Sequence, residues 1–132
     1  MREHPLVLLI DDEEDFLEIA SIKLQADGCD TIVTHSVPEA LAKAEEMQPD
    51  LILSDIYMPP GPNGWEFAMT VRHDPKIANT KFAFFTSLHD PWLELSPSQR
   101  ATVSSELKDV HFFSKTDDVN RLGEGVLKLI KI

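Results

Sequence analysis

The sequence predicts an α/β domain built on a parallel sheet with helices on both faces. Two observations carry that expectation. Five short apolar runs alternate along the chain with segments of helical period, which is the pattern of repeated βα units. The first run stops abruptly in charge, as a strand buried on both faces does where it reaches the surface.

The first run is Leu6-Val7-Leu8-Leu9-Ile10, and it ends in Asp11-Asp12-Glu13-Glu14-Asp15. Leu17, Ala20 and Leu24 then recur on one face of a first helix. Thr31-Ile32-Val33 is the second run. Ser36-Val37-Pro38-Glu39 has capping-box spacing, and Ala40, Leu41, Ala44 and Met47 follow at helical period. Leu51-Ile52-Leu53 is the third run. Asn63, with Glu66 three residues on, opens a third helix carrying Phe67, Ala68 and Val71. Phe82-Ala83-Phe84-Phe85 is the fourth run. Ser96-Pro97-Ser98-Gln99 combines a capping pair with proline in the first helical position, and Val103 and Leu107 continue that helix. Val110-His111-Phe112-Phe113 is the fifth run. Val119, Leu122, Val126, Leu129 and Ile130 stripe a last helix, weakened by Gly123 and Gly125. The chain has no internal repeat, low-complexity tract or linker, and Pro59-Pro60-Gly61-Pro62 reads as a rigid loop inside the domain.

A length of 132 residues suits one domain with a real core. The apolar runs are strand-sized, too short to cross a bilayer. Arg2, Glu3, His4 and Pro5 follow Met1 with no signal peptide, and the single Cys29 cannot form an internal disulfide. These features predict a cytoplasmic protein with no membrane contact. Twelve Lys and Arg stand against 23 Asp and Glu, a formal charge of −11, which argues against direct nucleic-acid binding. His4, His35, His73, His89 and His111 lack the spacing of zinc ligands. Cys29 reads as a small buried residue, and Trp65 and Trp92 as packing or partner contacts.

Chemistry gathers at the carboxyl ends of the predicted strands, the edge where α/β sheets bind ligands. Asp11 and Asp12 follow the first strand, Asp55 follows the third, Thr86 ends the fourth and Lys115 sits past the fifth. In the doubly wound order 2-1-3-4-5, the first and third strands are neighbours. Asp11, Asp12 and Asp55 would then face one another, a costly crowding of like charge unless a cation joins them. Mg²⁺ suits such a set, because it takes few protein carboxylates and keeps positions for water and phosphate oxygens.

At this point the chain resembles the response-regulator receiver family. The matching pieces are Asp11-Asp12, Asp55-Ile56-Tyr57-Met58-Pro59, Gly64, Thr86-Ser87, Phe112 and Lys115. None is specific alone; the ordered set at these strand ends is. The resemblance implies a flavodoxin-like doubly wound five-stranded parallel sheet and one receiver domain over 1–132, with no output domain following. It implies a phosphoacceptor of a two-component system or phosphorelay, one that assists its own phosphorylation and slow dephosphorylation without being an enzyme in the usual sense. Asp55 would be the nucleophile, taking a phosphoryl group from a sensor histidine kinase, a phosphotransfer protein or a small phosphodonor. A carboxylate is ionised at neutral pH and needs no general base. Mg²⁺ would be held by Asp12, Asp55 and the backbone carbonyl of Tyr57, with Asp11 assisting through water. Lys115 and the Thr86 hydroxyl would each meet a phosphoryl oxygen. Movement of Thr86 would let Phe112 turn inward, switching the surface of the fourth helix, fifth strand and fifth helix toward a downstream protein or a second copy of the chain.

Plainer readings exist for several of these residues. Glu13, Glu14 and Asp15 read as acids favoured by a helix start. Lys115 could be a solvated loop lysine, and Phe112 a core residue. The chain also departs from the family pattern. Thr116 stands where proline usually follows the lysine, and a trans bond is expected there. The 58–64 loop is long and proline-rich. Residues 88–95 look inserted, with packing against the fourth helix favoured over a lid. Two other functions compete. One is a haloacid-dehalogenase-type phosphatase using Asp11, Glu13, Thr86, Lys115 and Asp117-Asp118, which would leave Asp55 without a role. The other is a pseudo-receiver that only binds partners, although such domains typically lose an acid or the lysine.

Overall fold

The computed structural model describes residues 3–56, 64–86, 96–107, 110–115 and 121–131. Strands and helices alternate in it as β1 (Leu6–Ile10), α1 (Glu14–Ala26), β2 (Asp30–Thr34), α2 (Val37–Met47), β3 (Leu51–Ser54), α3 (Gly64–His73), β4 (Lys81–Thr86), α4 (Pro97–Glu106), β5 (His111–Ser114) and α5 (Leu122–Ile130). The five strands form one sheet in the order β2-β1-β3-β4-β5, and every pairing is parallel.

The period-two alternation of strand side chains splits the core into two layers. Leu8, Ile10, Ile52, Phe82 and Phe84 face one side, where Ala40 and Ala44 of α2, Phe67 and Val71 of α3 and Val103 of α4 cover them. Val7, Leu9, Leu51, Leu53, Ala83 and Phe85 face the other, beneath Leu17, Ala20 and Leu24 of α1 and Val126 and Leu129 of α5. This is why β1 and β3 are apolar at nearly every position: both of their faces are covered. The outer strands β2 and β5 differ, because each has a sheet neighbour on one side only, and most of their residues keep some exposure.

Local signals mostly act as their chemistry requires. Ser96 and Gln99 close a complete capping box, with Gln99 N–H donating to Ser96 Oγ at 3.2 Å and Ser96 N–H to Gln99 Oε1 at 2.8 Å. At α2 the box is shifted by one residue: Ser36 Oγ accepts from Glu39 N–H, but the Glu39 carboxylate accepts from His35 N–H. One strand start also moves. β5 starts at His111, one residue later than the apolar run, and α5 is described from Leu122. Asn63 and Val119, expected in or beside helices, lie outside the described residues.

Gly64 is required by a close approach. Its N–H donates to Ile56 O at 2.6 Å. A Cβ there would overlap the Asp55 carbonyl oxygen and the Ile56 Cα. α3 can therefore start directly against the chain leaving β3 only if residue 64 has no side chain.

Candidate functional site

β1 and β3 are paired so that Ile10 lies opposite Ser54, and Asp55 N–H donates to Ile10 O at 3.0 Å. The next residues of the two strands are Asp11 and Asp55, so parallel pairing itself brings their carboxylates together at the carboxyl edge. Asp11, Asp12 and Asp55 each offer a carboxylate oxygen, and these oxygens lie within 4.8 Å of one another. Asp11 and Asp55 are buried, while Asp12 is exposed at the mouth.

Backbone donors orient the two buried acids. Asp11 Oδ1 accepts from Glu13 N–H at 3.0 Å, holding the turn into α1. Asp55 Oδ1 accepts from Ile56 N–H at 2.8 Å. Their other oxygens face Lys115, which follows β5. Lys115 Nζ lies 2.7 Å from Asp11 Oδ2 and 3.4 Å from Asp55 Oδ2, and its side chain is 7% exposed. The solvated-lysine reading is therefore wrong: pairing with buried carboxylates draws the side chain inward.

Two further contacts hold that lysine. Glu13 Oε1 is 3.1 Å from Nζ. Phe16 and Phe85 stack with ring centroids 4.8 Å apart, and Nζ sits 4.8 Å from the first centroid and 5.3 Å from the second, within cation–π range. Phe16 did not stand out in the sequence, and Glu13 did so only within the phosphatase alternative, not as a partner of Lys115. Glu13 lies in a run of five acids whose composition does not distinguish it from Glu14. Phe16 carries no motif, and only the folded path of Lys115 reveals its role. Reading Glu13 solely as a helix-start charge is thus incomplete.

Burial pushes the Asp11 carboxyl above the usual carboxylate range, with the Asp55 charge adding to the effect and Lys115 opposing it. Asp12 is raised as well, by partial desolvation and by Asp11 beside it. For Lys115, burial alone would lower the ammonium's pKa, but Asp11, Asp55 and Glu13 outweigh it and push the value up. The site thus holds more negative charge than its one buried ammonium neutralises. Asp11 Oδ2 meets Lys115 as an ionic contact, yet no well-directed hydrogen bond reaches that buried oxygen. Clustered hard oxygen donors, raised acids and an under-satisfied buried oxygen suit a small divalent cation such as Mg²⁺.

The other predicted residues are placed as follows. Thr86 ends β4 opposite Ser114 of β5, directly before Lys115; its side chain lies outside the described residues. Tyr57, the 58–63 part of the loop, residues 88–95, Thr116 and Asp117-Asp118 also lie outside them. Phe112 is 37% exposed. It stacks on Phe84 with centroids 5.6 Å apart and lies 5.9 Å from Trp65, an outward position at the rim of one core layer. Trp65 is buried against Phe84, a packing residue, and Cys29 is buried as expected. Among the described residues, no helix is long and apolar enough to cross a membrane.

The family model described as response regulator receiver domain matches residues 7–94. DNA-binding response regulator MtrA of Mycobacterium tuberculosis (strain ATCC 25618 / H37Rv) is 37% identical over 71 residues, covering 54% of this chain and 31% of that protein. Alkaline phosphatase synthesis transcriptional regulatory protein PhoP of Bacillus subtilis is 40% identical over 53 residues, 40% of this chain and 22% of that protein. The chain spans about a third of the length of the first of these relatives, and less of the second. Among solved structures, chemotaxis response regulator CheY4 of Vibrio cholerae superposes with a TM-score of 0.78 at 25% identity, covering 96% of this chain and 98% of that one. A response regulator from Chloroflexus aurantiacus, 18% identical, superposes with a TM-score of 0.81 over 98% of this chain and 100% of its own, a likeness of fold.

Proposed function

The chain belongs to the response regulator receiver domain family of two-component systems, and from that premise we propose that Asp55 is its phosphoacceptor. The donor is a phosphohistidine on a sensor histidine kinase or phosphotransfer protein. The observation that carries this reading is the placement of Lys115 Nζ within 3.4 Å of Asp55 and 2.7 Å of Asp11, beside Asp12, at the carboxyl edge of the sheet.

The chemistry follows from the charges. An Asp55 carboxylate oxygen attacks phosphorus, the new O–P bond forms as the P–N bond breaks, and the electron pair leaves on the imidazole nitrogen. The incoming group is anionic and enters a site rich in carboxylates, so charge neutralisation is the main requirement. Receiver domains generally bind Mg²⁺ at an acidic pocket; Asp11, Asp12 and Asp55 would hold it here, with the Tyr57 carbonyl, and it would supply positive charge for the phosphoryl oxygens. Lys115 pairs with one phosphoryl oxygen, and the Thr86 hydroxyl donates to another. Asp11 orients Lys115 and, through Glu13 N–H, the start of α1. The half-buried Phe16 ring and the buried Phe85 ring limit water near the lysine.

Phosphorylation replaces the Asp55 carboxylate charge with a phosphoryl group that carries about two negative charges next to Lys115. Thr86 moves toward them, and Phe112, standing at the rim, turns inward. That rearrangement alters the α4–β5–α5 surface and with it the affinity for a downstream protein or a second copy of the chain. The family match sets the phosphatase alternative aside.

Incubation with acetyl phosphate and Mg²⁺, followed by intact mass and peptide mapping, tests the reading. One phosphoryl mass on the peptide carrying Asp55, absent from Asp55→Asn, is expected. A phosphoryl group on another residue would overturn the assignment, and no adduct at all would favour a domain that only binds partners.

A further inference from the structure

Glu13 and Glu14 are neighbours in one acidic run, yet they do different things. Glu14 Oε1 lies 3.4 Å from His35 Nε2, toward the end of β2. Glu13 Oε1 turns the other way and lies 3.1 Å from Lys115 Nζ. An ammonium has three protons to donate, and three carboxylates surround this one: Asp11, Asp55 and Glu13. Of these contacts the one to Glu13 is a directed hydrogen bond, whereas the Asp11 contact is ionic and Asp55 is the group that becomes phosphorylated, so a phosphoryl oxygen that reaches Lys115 competes with Glu13.

The three are not equally easy to displace. Asp11 and Asp55 are buried, and each is anchored by a backbone N–H on its other oxygen. Glu13 is 63% exposed, on a longer side chain that water can solvate once it swings away. An exposed carboxylate is held by a weak net interaction, so it leaves first.

We propose that Glu13 is a positioning residue that tethers Lys115 in the unphosphorylated site and yields it to the incoming phosphoryl oxygen, thereby setting how fast Asp55 is phosphorylated. The proposal rests on the reading of Asp55 as phosphoacceptor. Glu13 makes no bond to phosphorus; its action is exerted through the lysine alone.

Three variants of the full chain separate a tether from a simple charge. Glu13→Gln removes the charge and weakens the contact. Glu13→Asp keeps the charge on a side chain one methylene shorter, and Asp is well suited to a helix N-cap. Glu14→Gln removes the neighbouring charge and leaves the Lys115 contact in place. Each is mixed with Mg²⁺ and acetyl phosphate, and adduct formation is followed by intact mass. Exchange of the Lys115 ammonium protons is followed by NMR before the donor is added. Both Glu13 variants should acquire the adduct about 2- to 5-fold faster than the wild type, with faster ammonium exchange, while Glu14→Gln keeps the wild-type rate. A Glu13→Asp protein that behaves as wild type, or a Glu14→Gln protein as fast as Glu13→Gln, would make charge the cause and overturn the tether. Unchanged rates in both Glu13 variants, with a normal adduct on Asp55, would overturn it while leaving the phosphoacceptor reading intact. A wild type that forms no adduct would overturn both.

Discussion

Lys115 and Asp11 form a buried ion pair: 2.7 Å separates Nζ from Oδ2, and the side chains are 7% and 0% exposed. The pair joins the end of the edge strand β5 to the end of the central strand β1, across two intervening strands. Removing one partner of such a pair strands a buried charge, at a cost of about 3–5 kcal/mol. One ammonium cannot balance all the acids around it, and that imbalance governs how the site responds to metal and to pH.

Mg²⁺ should stabilise the fold, and the effect should depend on Asp12. At ten times its dissociation constant, a ligand bound only by the folded state adds about 1.4 kcal/mol. Thermal unfolding with and without Mg²⁺ measures this, and Asp12→Asn should abolish most of the gain. The pH dependence has a definite sign. Asp11 and Asp12 have raised values when folded, so the folded state binds more protons than the unfolded chain. Without metal, the contribution of these two acids to stability is greatest below their ordinary value of 3.8 and is lost as pH rises through their folded values. Mg²⁺ competes with those protons, so its stabilisation should grow with pH over the same window. A gain that stays constant across it would contradict the shared site.

Phe16→Leu keeps an apolar side chain but removes the ring that stacks on Phe85 and lies under Lys115. The expected loss is about 1–2 kcal/mol, the combined scale of an aromatic pair and a partly buried cation–π contact. Urea unfolding should show a lower midpoint with an unchanged slope. Phosphorylation by acetyl phosphate should slow, because the lysine loses a wall that aims it. Slowed unfolding of the adduct state with no change in the free protein would be the opposite of this expectation.

The contrast between Asp55 and Phe16 shows what the chain makes legible before folding. Leu6–Ile10 and Leu51–Ser54 are apolar on both faces, which marks them as central strands. The acids just after them therefore had to meet at one edge once the sheet was parallel. Lys115 belongs to the same logic, as the residue after β5. Phe16 and Glu13 do not, because their partner lies about 100 residues away in sequence, and nothing local to either signals it. The bounds of β5 were blurred for a related reason: an edge strand is half exposed, so its apolar run need not coincide with its hydrogen-bonded span. The capping box at Ser96 was readable because both of its bonds are local; at Ser36 the side-chain cap follows the spacing, while the Glu39 carboxylate accepts from His35 N–H, one residue further back.

Gly64→Ala tests the seam between β3 and α3. The added methyl would overlap backbone atoms of Asp55 and Ile56, which cannot rotate away as a side-chain tip would. Relief requires α3 to shift, at a cost on the order of 1–3 kcal/mol. The shift would also disturb the Gly64 N–H to Ile56 O bond and the backbone that carries Asp55. Both stability and adduct formation should therefore fall together. A variant with wild-type unfolding midpoint and phosphorylation rate would show that the approach is looser than the geometry implies.

Lys81→Met tests the opposite end of the sheet. Lys81 opens β4, and its ammonium donates to Leu129 O at 2.9 Å and Ile130 O at 2.7 Å, two carbonyls in the last turn of α5. Carbonyls in a helix's last turn lack the regular i+4 donor of the helix interior, and the helix dipole places negative charge there, so a cation satisfies both needs. Methionine fills similar volume without donating. The loss should be about 1–3 kcal/mol, the range of charge-assisted bonds that leave acceptors unpaired. Hydrogen exchange should accelerate at the amides of the last turn of α5 more than at those of α1. The site lies at the carboxyl edge of the sheet and Lys81 at the amino edge, so acetyl phosphate should label Asp55 at the wild-type rate at a temperature where the variant stays folded. A labelling rate that fell while the fold held would mean that α5 transmits its anchoring to Lys115, and the two ends of the sheet would have to be treated as coupled.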